Sequence, residues 1–165
     1  LGCCFLQLPP HFSVNDLNLL SRFLEHFPAE IPLAVEVRHP SFFEPTTAAG
    51  DYFELLRHHR MATVITDVAG RRDVCHLRLT HHHVLVRFVG NGLHSTDYQR
   101  IEDWAERLKL WCEAGLKAVY FFTHEPDNLL APDLAAFCAT AFAEKIPAAA
   151  LRGPAPVSGQ QGTLF

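Results

Sequence analysis

Residues 34–40, Ala-Val-Glu-Val-Arg-His-Pro, decide how the rest of the chain is interpreted. The apolar, β-branched run predicts a strand over residues 33–37, and Pro40 prevents a strand or a helix from continuing. Alternation along a strand places Glu36 and Arg38 on the same face. Because an unpaired buried charge is costly, two interpretations remain open: a buried Glu36–Arg38 pair, or a ligand site at the end of a strand.

Length and composition predict one globular domain and exclude several classes of protein. The chain has 165 residues, 48% hydrophobic content and a formal net charge of −4, so it lacks the basic footprint of a nucleic-acid-binding protein. Its apolar runs are shorter than the about 18 residues of a membrane span. The five cysteines are odd in number and have no C-x-x-C spacing. This usage predicts a reducing, cytoplasmic environment without a disulfide framework or a cysteine zinc site.

Apolar periodicity predicts that strands and helices alternate. Such alternation is typical of parallel β/α units, and the continuously apolar strands predict a sheet that is covered on both faces. The predicted strands lie within residues 1–10 and over 33–37, 62–66, 84–88 and 118–122. Capping patterns at Ser13/Asp16 and Thr96/Gln99 predict the starts of two helices. A further helix is predicted to begin near Thr47, and the last helix has Pro132 in its first turn. We expect one domain over residues 1–146 and a disordered tail over residues 147–165, which is rich in Ala, Pro, Gly and Gln.

Polar side chains stand at the end of every predicted strand. Because the carboxyl ends of parallel strands meet at one edge, where α/β proteins bind ligands, we expect these side chains to form one cleft. The expected acid–base or metal-binding residues are Glu36, His39 and Asp67, and the expected substrate-binding residues are Gln7, Arg38, Arg87 and His124.

The chemistry open to these side chains is limited in kind. Carboxylates and imidazoles could bind a divalent metal, arginines could hold a phosphate or carboxylate, and a carboxylate with a histidine could transfer protons without a metal. The motifs of zincins, P-loop NTPases, serine hydrolases and dinucleotide-binding enzymes are absent. His81, His82 and His83 cannot all face one metal from a strand, so we interpret them as a solvated turn.

The chain resembles the YecE-like family, also called domain of unknown function 72, over about residues 1–145. The resemblance rests on Gln7-Leu8-Pro9-Pro10 followed by the stretch 34–43, and then on 86–90, 119–122 and the Ala131-Pro132 helix. It implies a TIM-barrel-like fold of roughly 250 residues or more. This chain would then be the C-terminal part, an incomplete barrel that lacks its first strands. A flavodoxin-like sheet of five parallel strands is the alternative fold.

The last five residues, Gln-Gly-Thr-Leu-Phe, resemble a bacterial sliding-clamp-binding peptide of the form Gln-x-x-Leu-Phe. The matching positions are Gln161, Leu164 and Phe165, at the end of a tail that a peptide ligand would need.

Three hypotheses of function follow. The first is a hydrolase or lyase that acts on a phosphorylated, sugar-like or nucleic-acid substrate. The second is a non-enzymatic adaptor that uses its tail to bind the sliding clamp. The third is a truncated gene product without a stable function, which would unfold without cooperativity.

Overall fold

A computed structural model describes residues 2–153 and contains one sheet of five parallel strands, with helices between them. The strands are β1 (Cys4–Gln7), β2 (Leu33–Glu36), β3 (Ala62–Val68), β4 (His83–Val89) and β5 (Ala118–His124), and the helices are α1 (Leu17–His26), α2 (Thr47–His58), α3 (Ser95–Glu113) and α4 (Ala131–Lys145). The strands are hydrogen-bonded in the order 1-2-3-4-5. The flavodoxin-like alternative is therefore wrong, because that fold has the order 2-1-3-4-5.

The helices pack on one face of the sheet and leave the other face to the strands. One apolar cluster joins Val35 of β2 to residues of α1 and α2, and a second joins Val86 of β4 to residues of α3 and α4. A third cluster contains strand residues and their neighbours without a helix: Ala34, Ala62, Val64 and Leu85, with Cys3 and Tyr120 packed against them. Sequential strand order with helices on one face is the arrangement of a half-barrel.

The sheet is strongly curled, and we call its helix-free side the concave face. The hydroxyl of Tyr120 on β5 donates a hydrogen bond to the carbonyl of Gly2, just before β1, at 2.9 Å. A Cβ on Gly2 would lie 2.9 Å from the Tyr120 ring, so the first and last strands approach closely.

The expectation that both faces of the sheet are covered is wrong for the two outer strands, β1 and β5. Phe5 is 46% exposed and Phe122 is 52% exposed. Both strands are only partly buried along their length. The reason is that no helix within residues 2–153 packs on the concave face, so these side chains meet solvent.

The two predicted capping boxes differ in how well they mark the start of a helix. The Ser13/Asp16 capping box is confirmed and forms a short turn before α1. The Thr96/Gln99 capping box is wrong, because α3 begins at Ser95 with His94 as its N-cap. The imidazole of His94 accepts from the Thr96 N–H at 3.3 Å, and the Asp97 carboxylate accepts from the His94 N–H at 3.0 Å.

Beyond α4, residues 147–153 are exposed and contain neither helix nor strand. The predicted clamp-binding residues Gln161, Leu164 and Phe165 lie outside the described residues, so the peptide stays a prediction. Within residues 2–153, the helices are too short or too polar for any of them to cross a bilayer.

Candidate functional site

The buried carboxylate of Glu36 is the centre of a polar network on the concave face. Its side chain is only 2% exposed and accepts hydrogen bonds from Gln7 Nε2 at 2.6 Å, Thr66 Oγ1 at 2.8 Å and Arg87 Nη1 at 2.5 Å. These four residues, which we call the Glu36 network, belong to β1, β2, β3 and β4. The strand register explains the convergence, since Gln7 lies opposite Glu36 and Thr66 lies opposite Arg87.

His124 brings the fifth strand to the same edge. Partial burial and the positive charge of Arg87 lower the pKa of its imidazole, and the negative charge of Glu36 opposes this shift. A His with a lowered pKa is mostly neutral at pH 7 and can accept a proton. The edge therefore combines a carboxylate, a guanidinium and a neutral imidazole.

Two exposed aromatic rings lie beside the Glu36 network. Phe5 precedes Gln7 by two residues on β1, and Phe122 lies opposite Arg87 in the ladder between β4 and β5. Alternation places both rings on the concave face. The site thus has a buried polar floor with an apolar surface on either side.

The predicted pairing of Glu36 with Arg38 is wrong. Arg38 is exposed and forms no salt bridge within residues 2–153, whereas Glu36 is paired with Arg87. His39 is turned toward its own loop, because its Nδ1 lies 2.9 Å from Ser41 Oγ and caps the turn Pro40–Phe42. Arg38 and His39 therefore lie near the end of β2 but outside the Glu36 network.

Asp67 lies on the opposite face of the sheet from Glu36. It is fully buried and accepts from Arg72 at 2.6 and 2.7 Å, from Arg100 at 3.0 Å and from Trp104 Nε1 at 2.7 Å. Successive side chains on a strand point to opposite faces, so Thr66 enters the Glu36 network while Asp67 faces α3. The structure therefore does not bring Asp67 into the cleft, and its contacts join β3 to α3.

The predicted oxygen and nitrogen ligands do not converge into one metal-binding set. Within residues 2–153, the only group of three His, Cys, Asp or Glu side chains that converge is His81, His82 and His83, with ligand atoms within 4.8 Å of one another. The predicted turn is confirmed for His81 and His82, which lie in a bend before β4, whereas His83 is the first residue of the strand and is buried. Because two of the three residues escape strand alternation, their ring nitrogens converge. Around Glu36, hydrogen-bond donors and an arginine take the positions that a cation would occupy.

Comparison with known proteins places the chain in a family. A family model described as "Protein of unknown function DUF72" matches residues 1–158. The chain belongs to the DUF72 family. It is 29% identical to the UPF0759 protein YecE of Escherichia coli K12 and of E. coli O157:H7, and the match covers 100% of this chain but 65% of either relative. The chain thus spans about two thirds of the length of these relatives.

Solved DUF72 structures share the fold. A DUF72 family protein from Enterococcus faecalis V583 superimposes with a TM-score of 0.66 at 17% identity, over 86% of this chain and 59% of that protein. One from Thermotoga maritima MSB8 gives a TM-score of 0.56 at 22% identity, over 87% of this chain and 56% of that protein. At these identities the likeness concerns the curled β/α sheet.

Thr66, Phe5 and Phe122 are site residues that the sequence did not indicate. Thr66 directly precedes Asp67, and only the phase of the strand decides which of the two faces Glu36. The two phenylalanines fit the apolar strand pattern, and nothing in that pattern distinguishes a ring that borders a cleft from a core ring.

Proposed function

We propose that this DUF72 chain forms the binding edge of a TIM-barrel-like hydrolase or lyase that acts on a phosphorylated, sugar-like small molecule. The observation that carries the proposal is the Glu36 network. It places a buried carboxylate and a partly exposed guanidinium at the carboxyl ends of four adjacent parallel strands. That edge is where β/α barrels position their reactive groups.

Arg87 is suited to hold the anionic group of such a substrate. Its Nη1 donates to Glu36, and its side chain remains 24% exposed. A guanidinium has five N–H donors in a planar fork, so one carboxylate contact leaves donors for a phosphate. Glu36 holds this fork in place, and the three donors around Glu36 stabilise its negative charge in a buried position.

His124 is the group best suited to transfer a proton in this cleft. Its lowered pKa keeps the imidazole mostly neutral near pH 7, so that it can act as a general base. Phe5 and Phe122 offer apolar surface to the ring of a sugar-like substrate, while Arg87 binds its charged end. This division of roles assigns binding to Arg87, positioning to Glu36 and Gln7, and proton transfer to His124.

The decisive experiment measures binding of ribose 5-phosphate, and of inorganic phosphate alone, to the full chain by isothermal titration calorimetry. We expect Arg87→Met to weaken binding of both at least about tenfold, because a charge-assisted hydrogen bond contributes about 1.5–3 kcal/mol. Arg57→Met is the matched control, because Arg57 forms an exposed pair with Glu54 on α2, on the helix-covered face of the sheet. Circular dichroism checks that both variants remain folded.

Turnover distinguishes an enzyme from a binding protein. We expect release of phosphate or of a cleaved fragment from sugar phosphates to fall in His124→Gln while ribose 5-phosphate still binds. Equal affinity of Arg87→Met and wild type would refute the anion-binding role of the cleft. Binding without turnover in the wild type would refute the enzymatic part of the proposal.

A further inference from the structure

We propose that His81, His82 and His83 form a binding site for one divalent transition-metal ion with the ligand preference of Zn²⁺. The three side chains present ring nitrogens within 4.8 Å of one another. Imidazole nitrogens suit zinc, copper, nickel and cobalt, and a set of three histidines is a known zinc ligand set. The cluster stands at the amino-terminal end of β4, opposite the edge that carries the Glu36 network, so the two proposals are independent.

The geometry of the rings supports coordination by their nitrogens. His81 Nδ1 and His83 Nδ1 lie 2.5 Å apart, and the ring centroids of His81 and His82 are separated by 3.7 Å. In a tetrahedral zinc site with bonds of about 2.0–2.1 Å, two ligand nitrogens stand about 3.3 Å apart. The His81 and His83 nitrogens would therefore have to separate by about 0.8 Å to reach this spacing.

The polar atoms of this cluster are poorly used by the rest of the fold. His83 is only 7% exposed, and its Nε2 is buried without a hydrogen-bond partner among the described residues. Within the same residues, the Nδ1 atoms of His81 and His83 have each other as partners. Buried polar groups are normally satisfied by hydrogen bonds. Hydrogen bonding among the described residues therefore does not account for the burial of these histidine nitrogens.

The backbone holds the cluster in place on both sides. Thr80 Oγ1 donates to the Met61 carbonyl at 2.8 Å, beside the start of β3. The His82 carbonyl accepts from the Lys117 N–H at 2.7 Å and the Ala118 N–H at 3.4 Å, at the start of β5. A site fixed by two neighbouring strands loses little conformational freedom when an ion binds.

The three histidines differ in burial, so that one side of the cluster is open to solvent. His83 is buried, His81 is intermediate and His82 is exposed, so an ion could enter from solvent. Three protein ligands leave a tetrahedral ion with one position for water or for an external ligand. The charge of the nearby Arg60 opposes a cation, but Arg60 is exposed and its charge is therefore screened by solvent.

The test is a titration of the untagged full chain with Zn²⁺, followed by calorimetry against a competing chelator. We expect one Zn²⁺ per chain, and Co²⁺ in its place to give the visible absorption of a tetrahedral nitrogen-ligated ion. His82→Ala removes an exposed ligand without opening the core, and we expect it to weaken binding at least about tenfold. His81→Ala should have the same effect.

The matched control is the double variant His58→Ala, His59→Ala. These residues are also adjacent, with ring centroids 5.0 Å apart, but they do not belong to the converging group. Their loss should leave Zn²⁺ affinity unchanged. The proposal is overturned if the wild-type chain binds no Zn²⁺ at tenfold excess. It is equally overturned if His82→Ala binds as tightly as wild type, or if the His58/His59 variant loses the ion.

Discussion

His76 is a single residue whose surroundings couple stability to pH. Its ring packs against Phe53 at 5.0 Å and Phe43 at 6.3 Å, and its Nε2 lies 3.3 Å from Thr63 Oγ1. Burial, with a smaller contribution from the charge of Arg78, lowers the pKa of His76 from 6.5 to about 4. In the unfolded chain the same imidazole titrates near its ordinary value, so the two states bind different numbers of protons between these pH values.

We predict that acidification destabilises the fold through His76. The folded state excludes a proton that the unfolded chain accepts, so the stabilisation is complete above pH 6.5 and is lost as the pH falls toward about 4. The slope from this one group is at most about 1.4 kcal/mol per pH unit. His76→Phe keeps an aromatic ring at this position and removes the titration.

Urea unfolding of both proteins at several pH values between 7 and 4.5 measures the difference. His81, His83 and His124, whose pKa values are also lowered, remain in both proteins and cancel in the comparison. We expect a shallower dependence in His76→Phe. Parallel curves for the two proteins would show that His76 does not couple folding to pH.

Several individual residues of the candidate site could be predicted from the sequence. Gln7, Glu36, Arg87 and His124 are polar residues near the ends of apolar runs, and parallel pairing brings such residues to one edge. The partner of Glu36 could not be predicted, because Arg87 is 51 residues away and its position depends on the register of the intervening strand. The sequence also could not show which of the adjacent residues Thr66 and Asp67 faces Glu36, because a shift of one residue along β3 would exchange their faces.

Among the secondary-structure elements, the contact between β3 and α3 depends on one buried carboxylate. Asp67 joins Trp104 and Arg100 of α3 to the strand, and the side chain of Arg100 is only 13% exposed. Asp97 also contacts Arg100, at 3.1 Å. Removal of the Asp67 carboxylate would leave an arginine and an indole N–H with fewer buried partners.

We therefore expect Asp67→Ala to lower the free energy of unfolding by about 3 kcal/mol or more. The emission of Trp104, observed together with Trp111, should shift to longer wavelength as α3 loosens. Asp73→Ala is the control, since Asp73 forms an exposed pair with Arg71, and such pairs contribute little. A change in Asp67→Ala no larger than in Asp73→Ala would contradict the structural role of this cluster.

The existence and order of the elements were predictable, whereas some of their ends were not. Periodicity identified the five strands and four helices, because each has a clear apolar pattern. The start of α3 was misplaced because His94 acts as its N-cap, and Ser, Thr, Asp and Asn are the residues usually found there.

At the scale of the whole molecule, a contact between β5 and the residue Gly2, just before β1, joins the two ends of the curled sheet. Tyr120→Phe removes the hydrogen bond to the Gly2 carbonyl and keeps the ring. We expect the stability to fall by no more than about 1 kcal/mol, as for a solvent-accessible hydrogen bond. Hydrogen exchange should accelerate in β1 and remain unchanged in β3 and β4, which pair with each other along five residue positions.

Tyr98→Phe serves as the reference, because Tyr98 packs against Phe137 and its hydroxyl has no hydrogen-bond partner within residues 2–153. Uniform exchange changes in both variants would argue against a specific closing role for Tyr120. The curl itself could not be predicted from the sequence, because it depends on strand twist and on the small side chains of the concave face. The parallel β/α class and the family followed from pattern and motif.

The Tyr120–Gly2 contact can form only after the ribosome has made the segment between these residues. The two residues are 118 positions apart, and at about 5–20 residues per second the ribosome needs about 6–24 s to make the segment between them. Throughout this interval β1 lacks its contact with β5, and the Gly2 carbonyl lacks its tyrosine partner. Protection of β1 against proteolysis during translation should therefore be complete only after β5 has left the ribosome.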